Sequence, residues 1–143
     1  MSIPDITPVG AQVEIDGRTY IVHPRVTSSA CLRALRRLAE SRNREASHEA
    51  MSEAERLLRE NKITPEAYRA IVDHAAQKFT NRERIGYEHL GEWLQDVDGL
   101  AVIVSVCCDV SIDEAHSLIK GHTAQWIRAI TDAMRQEVEA EKN

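Results

Sequence analysis

A mainly α domain with an N-terminal β-hairpin and five to six helices is the fold class this sequence predicts. Three observations carry it. Apolar residues recur at three- and four-residue spacing through most of the chain, the mark of amphipathic helices. Asp16-Gly17 stands between two short alternating runs, the strongest short-range hairpin signal. Aromatic residues make up only 4% of 143 residues, which with many Ala, Leu, Glu and Arg points to helices around a modest core.

The elements follow in order. Residues 1–10 contain Pro4, Pro8 and Gly10 and read as an extended arm. Residues 11–24 hold the hairpin. A type I′ turn at Asp16-Gly17 pairs Ile15 with Arg18, Glu14 with Thr19 and Val13 with Tyr20, so Val13, Ile15 and Tyr20 share one face. An isolated hairpin is marginal, so it must pack on helices or pair with another chain. His23-Pro24 ends its second strand, because proline cannot donate to a ladder.

Residues 25–140 form the helical domain. Thr27 and Ser28 are cap candidates for a helix bearing Leu32, Leu35 and Leu38, with Arg33, Arg36 and Arg37 on its other face. Ser41–Ala46 reads as a polar break, after which Ser47 caps a second helix carrying Met51, Ala54, Leu57 and Leu58. Thr64-Pro65-Glu66 opens the third with a cap, a proline at the first helical position and an acid in the first turn. Its stripe runs through Tyr68, Ile71, Val72, Ala75, Ala76 and Phe79. Thr80-Asn81-Arg82-Glu83 fits a capping box for a fourth segment with Ile85, Leu90, Trp93 and Leu94. Asp98-Gly99 punctuates. Leu100–Cys108 is read as a buried helix, although its β-branched residues also fit a strand. Ser111-Ile112-Asp113-Glu114 caps a short helix that Gly121 closes. Thr123 caps a final helix with the stripe Trp126, Ile127, Ile130, Met134 and Val138, and the polar tail from Glu137 frays.

The net charge is −5, but it is uneven. Between Arg18 and Arg44 there are seven Arg against Glu40 alone, a stretch that either forms a solvated helix face or steers an acidic partner. An acidic chain without an aromatic-interleaved basic motif argues against sequence-specific nucleic-acid binding. The three cysteines, Cys31, Cys107 and Cys108, are an odd number and fit a reducing compartment. The longest strongly apolar run, Leu100–Cys108, is far short of the roughly 20 residues a membrane span needs.

No phosphate-cradling glycine loop, nucleophile elbow or zincin motif is present. Cys107, Cys108, His116 and His122 lack the spacing of a zinc module, since adjacent cysteines point apart. The acids Asp98, Asp113 and Glu114 are accounted for by turns and caps, which leaves little for paired-carboxylate catalysis. The chain reads as a binder without cofactor or metal rather than an enzyme. Its candidate partner-binding residues are Arg33, Arg36 and Arg37 on the helix face, and Val13, Ile15 and Tyr20 on a hairpin whose edge can accept a strand.

Two stretches carry a family likeness. One is V-x-I-D-G-R-T-Y at Val13–Tyr20, followed by a capped Leu-striped helix. The other is Trp93–Ile119, where D-x-D-G-L leads into a buried apolar helix and then an S-x-D-E-A capped helix. This order resembles the small tail assembly chaperones of long-tailed bacteriophages. The resemblance implies a helical, non-enzymatic protein of the infected host cell's cytoplasm. It would bind the tape measure protein and help recruit tail tube subunits. Apart from the resemblance, a homo-oligomer is a further expected association. The alternative is a phage virion structural protein: a tail, connector or capsid-associated subunit.

Overall fold

The computed structural model describes the backbone of residues 11–80 and 87–142 and the side chains of 11–77 and 88–140. The expected arm at 1–10 and Asn81-Arg82-Glu83 of the expected capping box lie outside the residues so described, as do the side chains of Thr80 and Phe79 and all of Ile85. The fold is mainly α; among the described residues a two-stranded antiparallel hairpin stands ahead of six α-helices. The chain divides into two compact units, Met1–Leu35 with Ile85–Asn143, and Arg36–Arg84. The hairpin shares the first of these units with the C-terminal helices.

The first unit begins with strands β1 (Ala11–Ile15) and β2 (Arg18–Val22). Their register is the one the Asp-Gly turn dictates: Ile15 faces Arg18, Glu14 faces Thr19 and Val13 faces Tyr20. Asp16 and Gly17 both take positive φ, as a type I′ turn requires. Val13, Ile15 and Val22 turn inward and are buried. Helix α1 (Ser29–Arg59) starts in this unit. Ser28 caps it, its hydroxyl accepting from the Cys31 amide at 3.2 Å, and Cys31 and Leu35 are fully buried.

A 3-10 turn at Tyr87–His89 leads to α3 (Leu90–Leu94), then α4 (Val97–Cys108), α5 (Ile112–Ile119) and α6 (Thr123–Lys142). Residues 100–108 are helical, so burial wins over the strand preference of their β-branched side chains. Leu100, Ala101, Val102, Ile103, Val104 and Cys107 are all buried, each large one contributing about 1.5–3 kcal/mol by leaving water. Asp98-Gly99 is not a break. Asp96 caps α4 by accepting from the Gly99 amide at 2.9 Å, which places Asp98 and Gly99 in the first turn. Gly99 is required there by close approach: a Cβ would lie 2.6 Å from the Trp93 carbonyl oxygen. Ser111 caps α5 through the Glu114 amide at 3.1 Å. Thr123 is the first residue of α6 rather than its cap, and the His122 carbonyl accepts from the Trp126 amide.

Trp126 anchors this core. It is fully buried, its indole Nε1 donates to the Leu118 carbonyl at 2.9 Å, and its ring lies 6.1 Å from that of Tyr20. The His23 amide donates to the Cys107 carbonyl at 3.0 Å, joining the end of β2 to the end of α4. Glu137, expected in a fraying tail, instead turns its carboxylate to the start of α1. It accepts from the Val26 and Thr27 amides and from the Thr27 hydroxyl.

The second unit contains the rest of α1 and α2 (Pro65–Thr80). The expected break at Ser41–Ala46 does not occur; α1 runs through it. That segment has no Gly or Pro, and its residues tolerate helix when their side chains lie outward. Ser47 is not a cap. It is buried and its hydroxyl donates to the Ala75 carbonyl of α2 at 3.0 Å. Thr64 does cap α2, accepting from the Ala67 amide at 3.1 Å. On the exposed face Arg56 donates to Glu53 and, at 3.0 Å, to Glu60, and it holds the Glu53 carboxyl below its usual range.

Candidate functional site

The second unit is short of core. Its buried described side chains are Ala39, Ser47, Ala54 and Ala75. The large fully buried side chains of the described chain all belong to the first unit. Met51, Leu57, Leu58, Tyr68, Ile71 and Val72 are only half-buried. Two helices present one stripe each and cannot cover both by themselves.

Between these helices lies a cleft of about 320 Å³ lined by Ala46, Ser47, Ala50, Ala70, Ile71, His74 and Ala75. Its walls are short side chains: Ala46 and Ala50 stand four residues apart on one face of α1, and Ala70 and Ala75 come from α2. Ser47 fixes the helix spacing by its bond to Ala75. His74 is the one ionisable residue among the lining residues. Such a wall has no acid–base pair to move a proton, but it has the shape and polarity that accept an apolar helix.

The first unit carries a second groove, of about 640 Å³, where the outer edge of β1 meets α6. Gln12, Val13 and Glu14 form one side; Arg128, Asp132, Arg135 and Glu139 are on the other. By the register, the backbone N–H and C=O of Gln12 and Glu14 point away from β2.

The residues singled out from sequence are placed as follows. Arg33, Arg36 and Arg37 are exposed on α1, three and four residues apart and so on neighbouring turns. None of them lines the cleft or the groove. Val13, Ile15 and Tyr20 share one hairpin face, which is turned to the core, where Tyr20 meets Trp126. Their side chains serve packing, and what the hairpin offers outward is the backbone of β1 with Gln12 and Glu14. Sequence reasoning missed the cleft residues. Their signal was the four-residue spacing of Ala46 and Ala50, with Ser47 beside it.

The thiols are poor nucleophiles. Cys31 and Cys107 are buried, Cys108 is half-buried, and all three are unpaired in disulfides. Burial pushes Cys31 up to about 12, helped by the Glu137 carboxylate, and Cys108 up to about 12, helped by Asp109. Burial likewise raises Cys107, with Cys31 adding to it. Among the described residues, no cluster of three or more His, Cys, Asp or Glu is placed to hold a metal ion. Nor is any helix among them long and apolar enough to cross a membrane. Comparison with protein-family models, with curated proteins and with solved structures finds no match to this chain.

Proposed function

We propose that this chain is a non-catalytic assembly factor that takes an apolar helical segment of a protein partner into the cleft between α1 and α2. The supporting observation is a pair of helices whose large apolar residues stay half-exposed, with a cleft lined mostly by alanines and by Ile71 between them. A third helix laid there would cover what the two helices leave open. The exposed Arg33, Arg36 and Arg37 would draw in a partner with acidic residues beside its apolar stripe.

The element order that resembles phage tail assembly chaperones gives this partner an identity. The chain would hold apolar helical segments of the tape measure protein, and meet tail tube subunits, in the cytoplasm of an infected cell. It would leave once the tube shields those segments. The test is co-expression with the tape measure protein of the same phage, followed by affinity capture. The expected result is a complex that Ala70→Glu disrupts, because that exposed position lines the cleft. Failure to capture the tape measure protein would remove the proposal. Recovery of the chain from purified particles at fixed copy number would make it a virion subunit instead.

A further inference from the structure

The groove between β1 and α6 has a feature that the cleft lacks: its charges are complementary to themselves. Arg128, Asp132, Arg135 and Glu139 line it in that order along one helix. Spacings of four, three and four residues put them on one face. The signs alternate plus, minus, plus, minus. Reversed end to end, the row becomes minus, plus, minus, plus. An antiparallel copy of α6 therefore sets Arg128 against the partner's Glu139, and Asp132 against the partner's Arg135, with no like charges opposed.

The strand beside it obeys the same symmetry. The outward backbone groups of β1 belong to Gln12 and Glu14. Antiparallel pairing of two β1 strands about Val13 makes Gln12 and the partner's Glu14 a hydrogen-bonded pair, twice over, giving four backbone hydrogen bonds. It also keeps the two Glu14 side chains from facing each other. A register centred on Glu14 would oppose them directly, at a cost. Among the described residues the sheet has two strands, so this edge has no strand partner among them. Val13 lines the same groove as the helix charges, so one two-fold axis normal to the sheet serves both rows.

We propose that the chain forms a two-fold homodimer through this groove, with a four-stranded antiparallel sheet over an antiparallel pair of α6 helices. The inference rests on the first unit alone and stands apart from the cleft and its proposed occupant.

Light scattering coupled to size exclusion, at several protein concentrations in the micromolar range, reads the state directly. The expected mass is twice 16.1 kDa. Arg128→Glu and Glu139→Arg should each weaken the dimer about tenfold by opposing like charges at two symmetric contacts. The double variant should restore it. Within one chain these residues lie about 16 Å apart, so the rescue can act only between copies. Glu14→Pro removes an amide that β2 does not use, and should give a folded monomer by circular dichroism. Wild-type protein at 16.1 kDa throughout, any mass other than two copies, or a dimer that the single charge reversals leave untouched would overturn the proposal.

Discussion

Replacing Glu137 tests how α6 is tied to the start of α1 in the first unit. Its carboxylate accepts from the Val26 amide, the Thr27 amide at 3.1 Å and the Thr27 hydroxyl. Val26 is fully buried, so its amide has no ready water to replace the lost acceptor, a penalty of about 1–3 kcal/mol. Thr27 is half-buried, and its two donors can turn partly to solvent, adding about 1 kcal/mol. Glu137→Ala should therefore destabilise by about 2–4 kcal/mol. Glu137→Gln keeps the shape but sets an amide donor against a backbone donor, and should cost about 2 kcal/mol. The assay is urea denaturation followed by the fluorescence of Trp93 and Trp126, both in this unit, beside far-ultraviolet circular dichroism. If both variants lose less than about 0.5 kcal/mol, the range of an ordinary surface change, the carboxylate does not hold the helix start and the reasoning fails.

Other perturbations follow from the same contacts. Gly99→Ala places a methyl against the backbone carbonyl of Trp93 and its ring, and should cost about 1–3 kcal/mol by overpacking, read as a lowered urea midpoint. Trp126→Phe removes the donor to Leu118 and should cost about 1–3 kcal/mol, while Trp126→Ala should cost about 3–5 kcal/mol; a Trp126→Phe loss below about 0.5 kcal/mol would deny the indole bond a role. The thiols Cys31 and Cys107 are raised above their ordinary 9.0 by folding, so their protonated forms belong to the native state. Stability should be flat below about pH 8 and fall as pH passes 9. By pH 10 the loss is about 1.4 kcal/mol for each buried thiol, and a Cys31→Ala/Cys107→Ala variant should lack that decline in alkaline thermal melts.

Local chemistry made the hairpin and three of the six described helix starts legible. Asp16-Gly17 dictates a turn and therefore a register, and Ser28, Thr64 and Ser111 cap the helices they precede. The misread starts had competing local signals. Asp96 and Asp98 both stand near the beginning of α4, and only the carboxylate of Asp96 reaches the Gly99 amide. The polar run Ser41–Ala46 reads as a gap only where polarity alone stands for a breaker. Without Gly or Pro, it is simply helix exterior. Ser47 offered a cap by residue type, but its hydroxyl found a carbonyl on another helix, a tertiary fact no local window contains. The cleft was hidden for the same reason. Alanines mark close helix approach only once the second helix is in place, whereas the exposed arginines of α1 could be read from spacing alone.

The most direct test of the account is capture of the tape measure protein by the intact chain and by Ala70→Glu, side by side, with thermal melts of both. The account predicts that the wild type retains the partner and that the variant, melting at the same temperature, does not. Retention of the partner by a folded Ala70→Glu variant would contradict the placement of binding in the α1–α2 cleft.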